Sequence, residues 1–236
     1  MSRRPRIWVK VCGLMRPSDV EAAIRAGVDA IGVVMTPKSP RCVTPEQAAV
    51  LVEAARHAAA EAGRGRIVAV GVFSGEDDAT ILHRARRSGV DAVQLHGGES
   101  DATVARLSAE GFAVIRTLWP SAPDPGDAPL GDVPPWAILL DSRTPSQVGG
   151  TGRRLDPAVA ASWAARLRKA GLRVILAGGL SPDHVAGIVH RIRPWGVDVS
   201  SGVEVPGRPG VKDPEAVRAF VRAVRAWEDE TDARFA

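Results

Sequence analysis

Short apolar runs of strand length alternate along the chain with longer segments in which apolar residues recur every three to four positions. A continuous apolar run is typical of a parallel strand covered on both faces, and the three-to-four spacing is typical of a helix with one buried side. The pattern predicts eight strands, at residues 7–13, 30–35, 66–73, 91–97, 112–118, 136–141, 173–177 and 196–200.

Most of these runs lead into a predicted helix with recognisable end signals. Thr44, Pro45 and Gln47 form a capping-box pattern at the start of a long Ala-rich helix. Ser181 and Pro182 favour another helix start, with Ser181 at the N-cap and Pro182 at the first helical position. The other predicted helices cover residues 17–26, 77–88, 101–110, 156–170 and 213–227, and the helix after Ser181 runs to about residue 192.

Strands and helices thus alternate eight times, at roughly 25 to 30 residues per unit, which favours an α/β fold with a single (β/α)8 barrel. An open doubly wound sheet is the structural alternative, but it usually has fewer strands, and no dinucleotide-binding fingerprint follows the first strand. We expect one domain over residues 1–236 with a polar tail at about 228–236. Two Gly- or Pro-rich segments, 120–135 and 142–154, are predicted to be loops.

Charge and composition indicate which classes of binding partner and which cellular compartment to expect. The 31 Lys and Arg residues against 27 Asp and Glu give a net charge of +4, and the charges are dispersed without a long basic run, which argues against nucleic-acid binding. No apolar stretch of about 18 residues occurs, so no membrane partner is expected. The two cysteines, Cys12 and Cys42, have neither disulfide nor metal spacing, which fits a reducing cytoplasm.

Polar residues stand at the carboxyl ends of the predicted strands. In a barrel these ends meet at one face, where enzymes of this architecture place their chemistry. Each residue alone has a purely structural explanation, such as a small buried cysteine or an aspartate that caps a turn. Their common placement is what favours a site, and the candidates are Lys10, Cys12, Arg41, Gln94, His96, Asp141, Asp198, Ser200 and Ser201.

Two glycine-containing turns at neighbouring strand ends favour a phosphate group. Gly178 and Gly179 follow the seventh strand, and Ser201 and Gly202 follow the eighth. Glycine lets a ligand approach the bare backbone, and N–H groups at such a turn favour an anion. The alternative is an ordinary tight turn, but the loops after strands seven and eight are a common phosphate position in barrels.

The residue types then indicate proton transfer. A thiol at Cys12 and a carboxyl at Asp141 make a base and acid pair across the barrel mouth. Lys10 is expected to lower the pKa of the thiol, and a desolvated mouth is expected to raise that of the carboxyl. No metal-ligand spacing and no cofactor motif occurs, so we expect a cofactor-independent isomerase acting on a phosphorylated small molecule.

Taken together, the motifs resemble the phosphoribosylanthranilate isomerase family of tryptophan biosynthesis along most of the chain. No single stretch is decisive, but their order and spacing are highly specific. The matching stretches are Lys-Val-Cys-Gly-Leu at 10–14, Pro-Lys-Ser-Pro-Arg at 37–41, Val-Gln-Leu-His-Gly at 93–97, Leu-Asp-Ser at 140–142, Gly-Gly-Thr-Gly at 149–152, Leu-Ala-Gly-Gly-Leu at 176–180, and Val-Asp-Val-Ser-Ser-Gly-Val-Glu at 197–204, followed by Gly210, Lys212 and Asp213.

The resemblance implies an Amadori rearrangement of N-(5-phosphoribosyl)anthranilate to 1-(o-carboxyphenylamino)-1-deoxyribulose 5-phosphate. Asp141 would be the general acid and Cys12, as a thiolate, the general base. Arg41 would hold the anthranilate carboxylate. The remaining candidates divide between the phosphate, at Gly178, Gly179, Ser201 and Gly202, and the pocket wall, at Lys10, Gln94, His96 and Asp198.

Some positions depart from the family pattern. Residues 33–36 (Val-Val-Met-Thr) stand where the family often has aromatic residues, so stacking on the anthranilate ring would be weaker or differently supplied. Two other functions stay open: an isomerase of the histidine-pathway aminoaldose, alone or with dual specificity, and a non-catalytic barrel that binds phosphorylated ligands. The histidine-pathway barrels tend to use two aspartates, and position 12 is a cysteine. The sequence leaves the choice between monomer and homodimer open.

Overall fold

The protein is described here by a computed structural model covering residues 6–121, 131–142 and 156–233. Eight parallel strands pair in sequential order and close into a barrel, so the predicted (β/α)8 fold is confirmed. The strands are β1 (Trp8–Cys12), β2 (Ala30–Val34), β3 (Val68–Phe73), β4 (Ala92–Leu95), β5 (Ala113–Leu118), β6 (Ala137–Leu140), β7 (Val174–Leu176) and β8 (Gly196–Val199).

Helices follow most strands and cover the outside of the barrel. In the described residues they are α1 (Pro17–Ala26), α2 (Pro45–Glu61), α3 (Asp78–Ser88), α4 (Asp101–Ala109), α5 (Pro157–Lys169), α6 (Val185–Ile192) and α7 (Pro214–Ala233), and a short 3-10 helix (Ser201–Val203) follows β8. Within this part of the chain, none of them is long and apolar enough to cross a membrane.

The helix starts show where local signals were sufficient. Thr44 caps α2 through the predicted capping box, with its hydroxyl accepting from Gln47 N and the Gln47 side chain accepting from Thr44 N. The predicted start of α6 at Ser181 and Pro182 is wrong, because a turn occupies these positions and the helix begins at Val185. The Ser181 hydroxyl contacts the His184 ring at 2.6 Å and does not cap the helix.

The last helix is longer than predicted. It continues to Ala233, past the expected end at residue 227, and thus takes in residues 228–233 of the predicted polar tail. Glu228 lies on this added turn and accepts hydrogen bonds from Ile7 N at 2.7 Å and Arg225 Nη1 at 2.8 Å. These contacts tie the end of α7 to the entry of β1, a tertiary effect that the local polar composition does not reveal.

Three tryptophans close the amino-terminal end of the barrel. The ring of Trp195 lies 5.2 Å from Trp8 and 5.1 Å from Trp136, and the Arg173 guanidinium lies 5.0 Å from the Trp136 ring. Aromatic pairs at such distances add to the free energy gained by burial. In barrels this face serves stability, which leaves the opposite face for chemistry.

Some predicted features lie outside the described residues. These are most of the loop 142–154 with the Gly-Gly-Thr-Gly motif, the middle of the loop 120–135, and the ends of the chain at 1–5 and 234–236.

Candidate active site

A cavity opens at the carboxyl ends of the strands. It encloses about 1120 Å³ of empty space, its open mouth included. All the predicted site residues except Lys10 line it, Ser200 included, together with several residues of the β2–α2 loop. The predicted residues therefore converge at the face that the sequence indicated. The residues brought together are Cys12, Arg41, Gln94, His96, Asp141, Gly178, Gly179, Asp198, Ser201 and Gly202.

Lys10 lies beneath the cavity. Alternate residues of a strand face the same side, so Lys10 sits two residues, or roughly 6.6 Å, deeper in the barrel than Cys12. Its side chain is fully buried, and its Nζ atom donates to Asp198 Oδ2 at 3.0 Å. Burial by itself would lower the pKa of Lys10, but the charges of Asp198 and Cys12 outweigh it and raise that pKa. Lys10 is therefore a charged residue below the floor of the site.

Cys12 packs closely against the neighbouring strand β2, which the residues around it in the sequence do not indicate. A glycine, Gly32, lies beside it on β2, and a Cβ atom there would be 2.8 Å from Cys12 Sγ and 3.0 Å from Lys10 Nζ. Gly32 thus provides the space that the thiol and the ammonium group share. We did not identify this position from the sequence, where Gly32 is only one more residue of an apolar strand.

The expected lowering of the Cys12 pKa is wrong. Burial raises the pKa of the thiol above its ordinary value, and this outweighs the lowering by Lys10 and Lys212. Asp198 raises it further, since its negative charge partly cancels that of Lys10. The sequence shows that Lys10 stands two positions from Cys12. Only the folded structure shows how far the Cys12 thiol is removed from water.

Asp141 follows β6 and is buried against two neighbours. His96 Nε2 lies 3.6 Å from Asp141 Oδ2, and His96 Nδ1 is held at 3.1 Å by both the Gln94 amide and the Thr117 hydroxyl. On the other side lies Gly178, where a Cβ atom would be 2.7 Å from Asp141 Oδ1. The carboxyl is thereby confined between an imidazole and a bare backbone turn.

The two glycine turns after β7 and β8 pack directly against each other. Gly178 and Gly179 have φ angles of 83° and 68°, in the left-handed region that favours glycine. A Cβ atom on Gly202 would lie only 1.9 Å from the carbonyl oxygen of Leu180, so any side chain is excluded there. These turns present backbone groups at one edge of the cavity, as a phosphate site requires.

Arg41 reaches the cavity from the β2–α2 loop and is held by a residue to which the sequence gave no role. Its Nε and Nη2 atoms donate to the Glu204 carboxylate at 2.7 and 2.6 Å. Lys212, which is also buried, donates to the same carboxylate at 2.8 Å. Both residues stand in the matched family stretches, which was the available signal for them.

Two acceptor atoms in the wall have no hydrogen-bond partner among the described residues. They are Asp198 Oδ1 and Gln94 Oε1, and both residues are buried and line the cavity. Because buried polar atoms are normally hydrogen-bonded, such acceptors fit a ligand that carries hydroxyl groups. The rest of the lining includes the aliphatic Val72 and Val34, and Val34 belongs to the stretch 33–36 that departs from the family pattern.

Comparison with known proteins gives a consistent result. A family model described as N-(5'-phosphoribosyl)anthranilate (PRA) isomerase matches residues 9–223. The N-(5'-phosphoribosyl)anthranilate isomerase of Myxococcus xanthus is 41% identical over 230 residues, which cover 94% of this chain and 99% of that protein. The enzyme of the same name from Pelobacter propionicus is 37% identical over 225 residues, or 95% of this chain and 99% of the other.

Solved structures agree with the sequence comparisons. The phosphoribosyl anthranilate isomerase of Thermotoga maritima is 32% identical with a TM-score of 0.75, covering 93% of this chain and 99% of that one. A phosphoribosyl anthranilate isomerase in complex with reduced 1-(o-carboxyphenylamino)-1-deoxyribulose 5-phosphate is 30% identical with a TM-score of 0.71, at the same two coverages.

Proposed function

The chain belongs to the N-(5'-phosphoribosyl)anthranilate isomerase family and is an isomerase of tryptophan biosynthesis, and we propose that Cys12 and Asp141 are its general base and general acid. The reaction converts N-(5-phosphoribosyl)anthranilate to 1-(o-carboxyphenylamino)-1-deoxyribulose 5-phosphate, an aldose-to-ketose rearrangement. The observation that carries the assignment is the cavity itself, in which the thiol at the end of β1 and the carboxyl after β6 face one space beside two glycine turns.

In the first step the Asp141 carboxyl donates its proton to the ring oxygen of the ribose. The bond between this oxygen and C1′ breaks, and the lone pair of the anthranilate nitrogen forms the C1′–N double bond of a protonated Schiff base. The confined position of Asp141 between His96 and Gly178 supports this role, because a general acid must be held within hydrogen-bond reach of the atom it protonates.

In the second step the Cys12 thiolate removes the proton from C2′. The C2′–H electrons form the C1′–C2′ double bond, and the former C1′–N double-bond pair returns to nitrogen, which gives an enolamine. Tautomerisation moves a proton from the C2′ hydroxyl to C1′ and leaves the ketone. Lys10 and Lys212 favour the charged form of the thiol, although burial opposes it more strongly.

The remaining cavity residues would hold the substrate. Arg41 would bind the anthranilate carboxylate, and the backbone at Gly178, Gly179, Ser201 and Gly202 would bind the phosphate. The unpartnered acceptor atoms of Asp198 and Gln94 suit the ribose hydroxyls. His96 completes the wall next to Asp141.

The assembly state and location are finer proposals. One relative, from Thermotoga maritima, is described as a dimeric phosphoribosylanthranilate isomerase from which monomers were generated. For this chain we retain monomer or homodimer, which light scattering would decide. A cytoplasmic location is supported by the two cysteines, which are both free thiols.

The test is the fluorescence decay of freshly generated phosphoribosylanthranilate with the wild-type protein and with Cys12→Ala and Asp141→Asn. We expect rapid decay with wild type and near-background decay with either variant. Two matched controls, Cys42→Ala and Asp132→Asn, change the same residue types outside the cavity and should keep wild-type rates.

The wild-type result tests the isomerase reaction, and the results for the two variants test the roles of Cys12 and Asp141. No acceleration by the folded wild type would refute the isomerase activity, and the histidine-pathway aminoaldose would be the next substrate. Near-full turnover in one of the two site variants would keep the reaction but remove that residue from the mechanism.

A further inference from the structure

The side chain of Arg41 contacts two residues outside the cavity lining, Glu204 through its guanidinium and Gly13 through its aliphatic part. Glu204 accepts from its Nε and Nη2 atoms in the bidentate manner that suits a planar guanidinium. The aliphatic part of the side chain lies over Gly13, where a Cβ atom would be 2.5 Å from Arg41 Cδ. Arg41 itself lines the cavity, whereas Glu204 is not among the lining residues.

Glu204 is itself held by hydrogen bonds from Lys212 and Gly210. Its Oε1 atom also accepts from Lys212 Nζ at 2.8 Å and from the backbone of Gly210 at 3.0 Å. Lys212 faces Glu204 across an antiparallel bridge and donates a second hydrogen bond to Ser200 O at 3.1 Å. Two cations therefore share one carboxylate, and the loop between β8 and α7 provides both members of the Glu204–Lys212 pair.

The charges explain why three groups are needed. Arg41 and Glu204 alone would form a neutral pair, which attracts an anion weakly. Burial lowers the pKa of Lys212, while the hydrogen bond and charge of Glu204 act to raise it. In its protonated form Lys212 gives the cluster of Arg41, Glu204 and Lys212 a net charge of one positive unit. Burial by itself would raise the pKa of Glu204, but the hydrogen bonds and charges of Arg41 and Lys212 lower it to about 2, so the carboxylate is ionised at neutral pH.

We infer that Glu204 and Lys212 are positioning residues for substrate selection, which hold Arg41 in the orientation that recognises the anthranilate carboxylate and keep the cluster cationic. The inference rests on the proposed carboxylate-binding role of Arg41. A guanidinium that is already ordered loses less conformational entropy when it binds a carboxylate. Glu204 provides this order without occupying the cavity, and Lys212 restores the charge that Glu204 cancels.

The test compares two substrates that differ only in the carboxylate, N-(5-phosphoribosyl)anthranilate and N-(5-phosphoribosyl)aniline. Product formation is followed by chromatography, and the selectivity is the ratio of the two kcat/KM values. The variants are Arg41→Gln, Glu204→Gln and Lys212→Met. Glu110→Gln is the matched control, because it removes the carboxylate of an exposed ion pair with Arg86 on the helical surface.

The wild type should prefer the carboxylated substrate, and Arg41→Gln should abolish this preference. Glu204→Gln and Lys212→Met should each lower the ratio at least roughly tenfold, the loss typical of a hydrogen bond to a charged group. The effect should appear mainly in KM for the anthranilate substrate. Because Lys212 also acts on the pKa of Cys12, its loss changes the rates of both substrates, and the ratio isolates carboxylate recognition.

Each result decides a different point. A wild-type ratio in Arg41→Gln would refute the carboxylate role of Arg41 and with it the premise. A low ratio in Arg41→Gln beside a wild-type ratio in folded Glu204→Gln or Lys212→Met would refute the positioning role. Glu204→Gln removes a negative charge from the cluster and Lys212→Met removes a positive one. Either variant that folds, as judged by circular dichroism, is therefore sufficient to test the positioning role.

Discussion

The substitution Gly32→Ala, which adds one methyl group beside Cys12, should lower the activity of the enzyme while the protein still folds. An alanine there would place its Cβ atom 2.8 Å from Cys12 Sγ and 3.0 Å from Lys10 Nζ. Nonbonded heavy atoms settle at about 3.5 to 4.0 Å, so the thiol must move by roughly 0.7 to 1.2 Å. The φ angle of Gly32 is not in the left-handed region, and alanine therefore adds no backbone strain.

The two consequences of Gly32→Ala differ in size. Overpacking of a filled interior costs about 1 to 3 kcal/mol of unfolding free energy. A displacement of about 1 Å at a reacting group can lower the rate by roughly 100-fold. We therefore expect kcat to fall about 100-fold while the protein stays folded, because the Cys12 thiol no longer aligns with the C2′ proton.

The assay is steady-state fluorescence decay of phosphoribosylanthranilate, with the free energy of unfolding from urea titration. Gly71→Ala is the matched control, since its Cβ atom would meet Met35 Cε at 2.8 Å in the layer between barrel and helices. It should cost similar stability and leave kcat near wild type. Wild-type kcat in Gly32→Ala, or an equal loss in Gly71→Ala, would refute the reasoning.

Three further predictions concern pH and stability. Because the Cys12 pKa is raised, the rate at which a small alkylating reagent labels Cys12 in the Cys42→Ala protein should increase about tenfold per unit between pH 7 and 8.5, and a pH-independent labelling rate would contradict a raised thiol pKa. The Glu204 pKa of about 2 lies below its unfolded value, so its stabilisation, about 3 kcal/mol, is present above pH 4.5 and is lost as pH falls towards 2. Urea titrations of Glu204→Gln should show a correspondingly weaker acid dependence, and an unchanged one would count against the Arg41 and Lys212 contacts. Trp195→Ala should lower the unfolding free energy by about 3 kcal/mol without changing KM, since its ring packs on two others at the face away from the site; a large KM change would contradict that placement.

Local sequence signals predicted some element boundaries correctly and others wrongly. The capping box at Thr44 acts between residues three positions apart, and it begins α2 as expected. Ser181 and Pro182 carry a similar signal, yet the Ser181 hydroxyl pairs with the His184 ring and the helix starts later. Glu228 looked like part of a polar tail, but its contact with Ile7 N crosses the molecule.

The residues that line the cavity could largely be predicted from the sequence, whereas the residues packed behind them could not. Because eight strand ends must converge in a closed barrel, residues such as Cys12 and Asp141 could be placed on one face without coordinates. The roles of Gly32 and Glu204 could not be predicted, because these residues act through packing and charge on Cys12 and Arg41, which lie far from them in sequence.

The alternation of apolar runs and amphipathic segments, together with the order of the motifs, was enough to predict the barrel, the face at which the candidate residues converge and the family. These properties depend on periodicity and on residue identity, which the chain carries along its length. The tertiary structure alone decided how deeply Cys12 is buried, that Lys10 lies below the cavity, and that Glu204 pairs with both Arg41 and Lys212. Desolvation and ion pairing depend on distances between residues far apart in sequence, and only the closed barrel sets those distances.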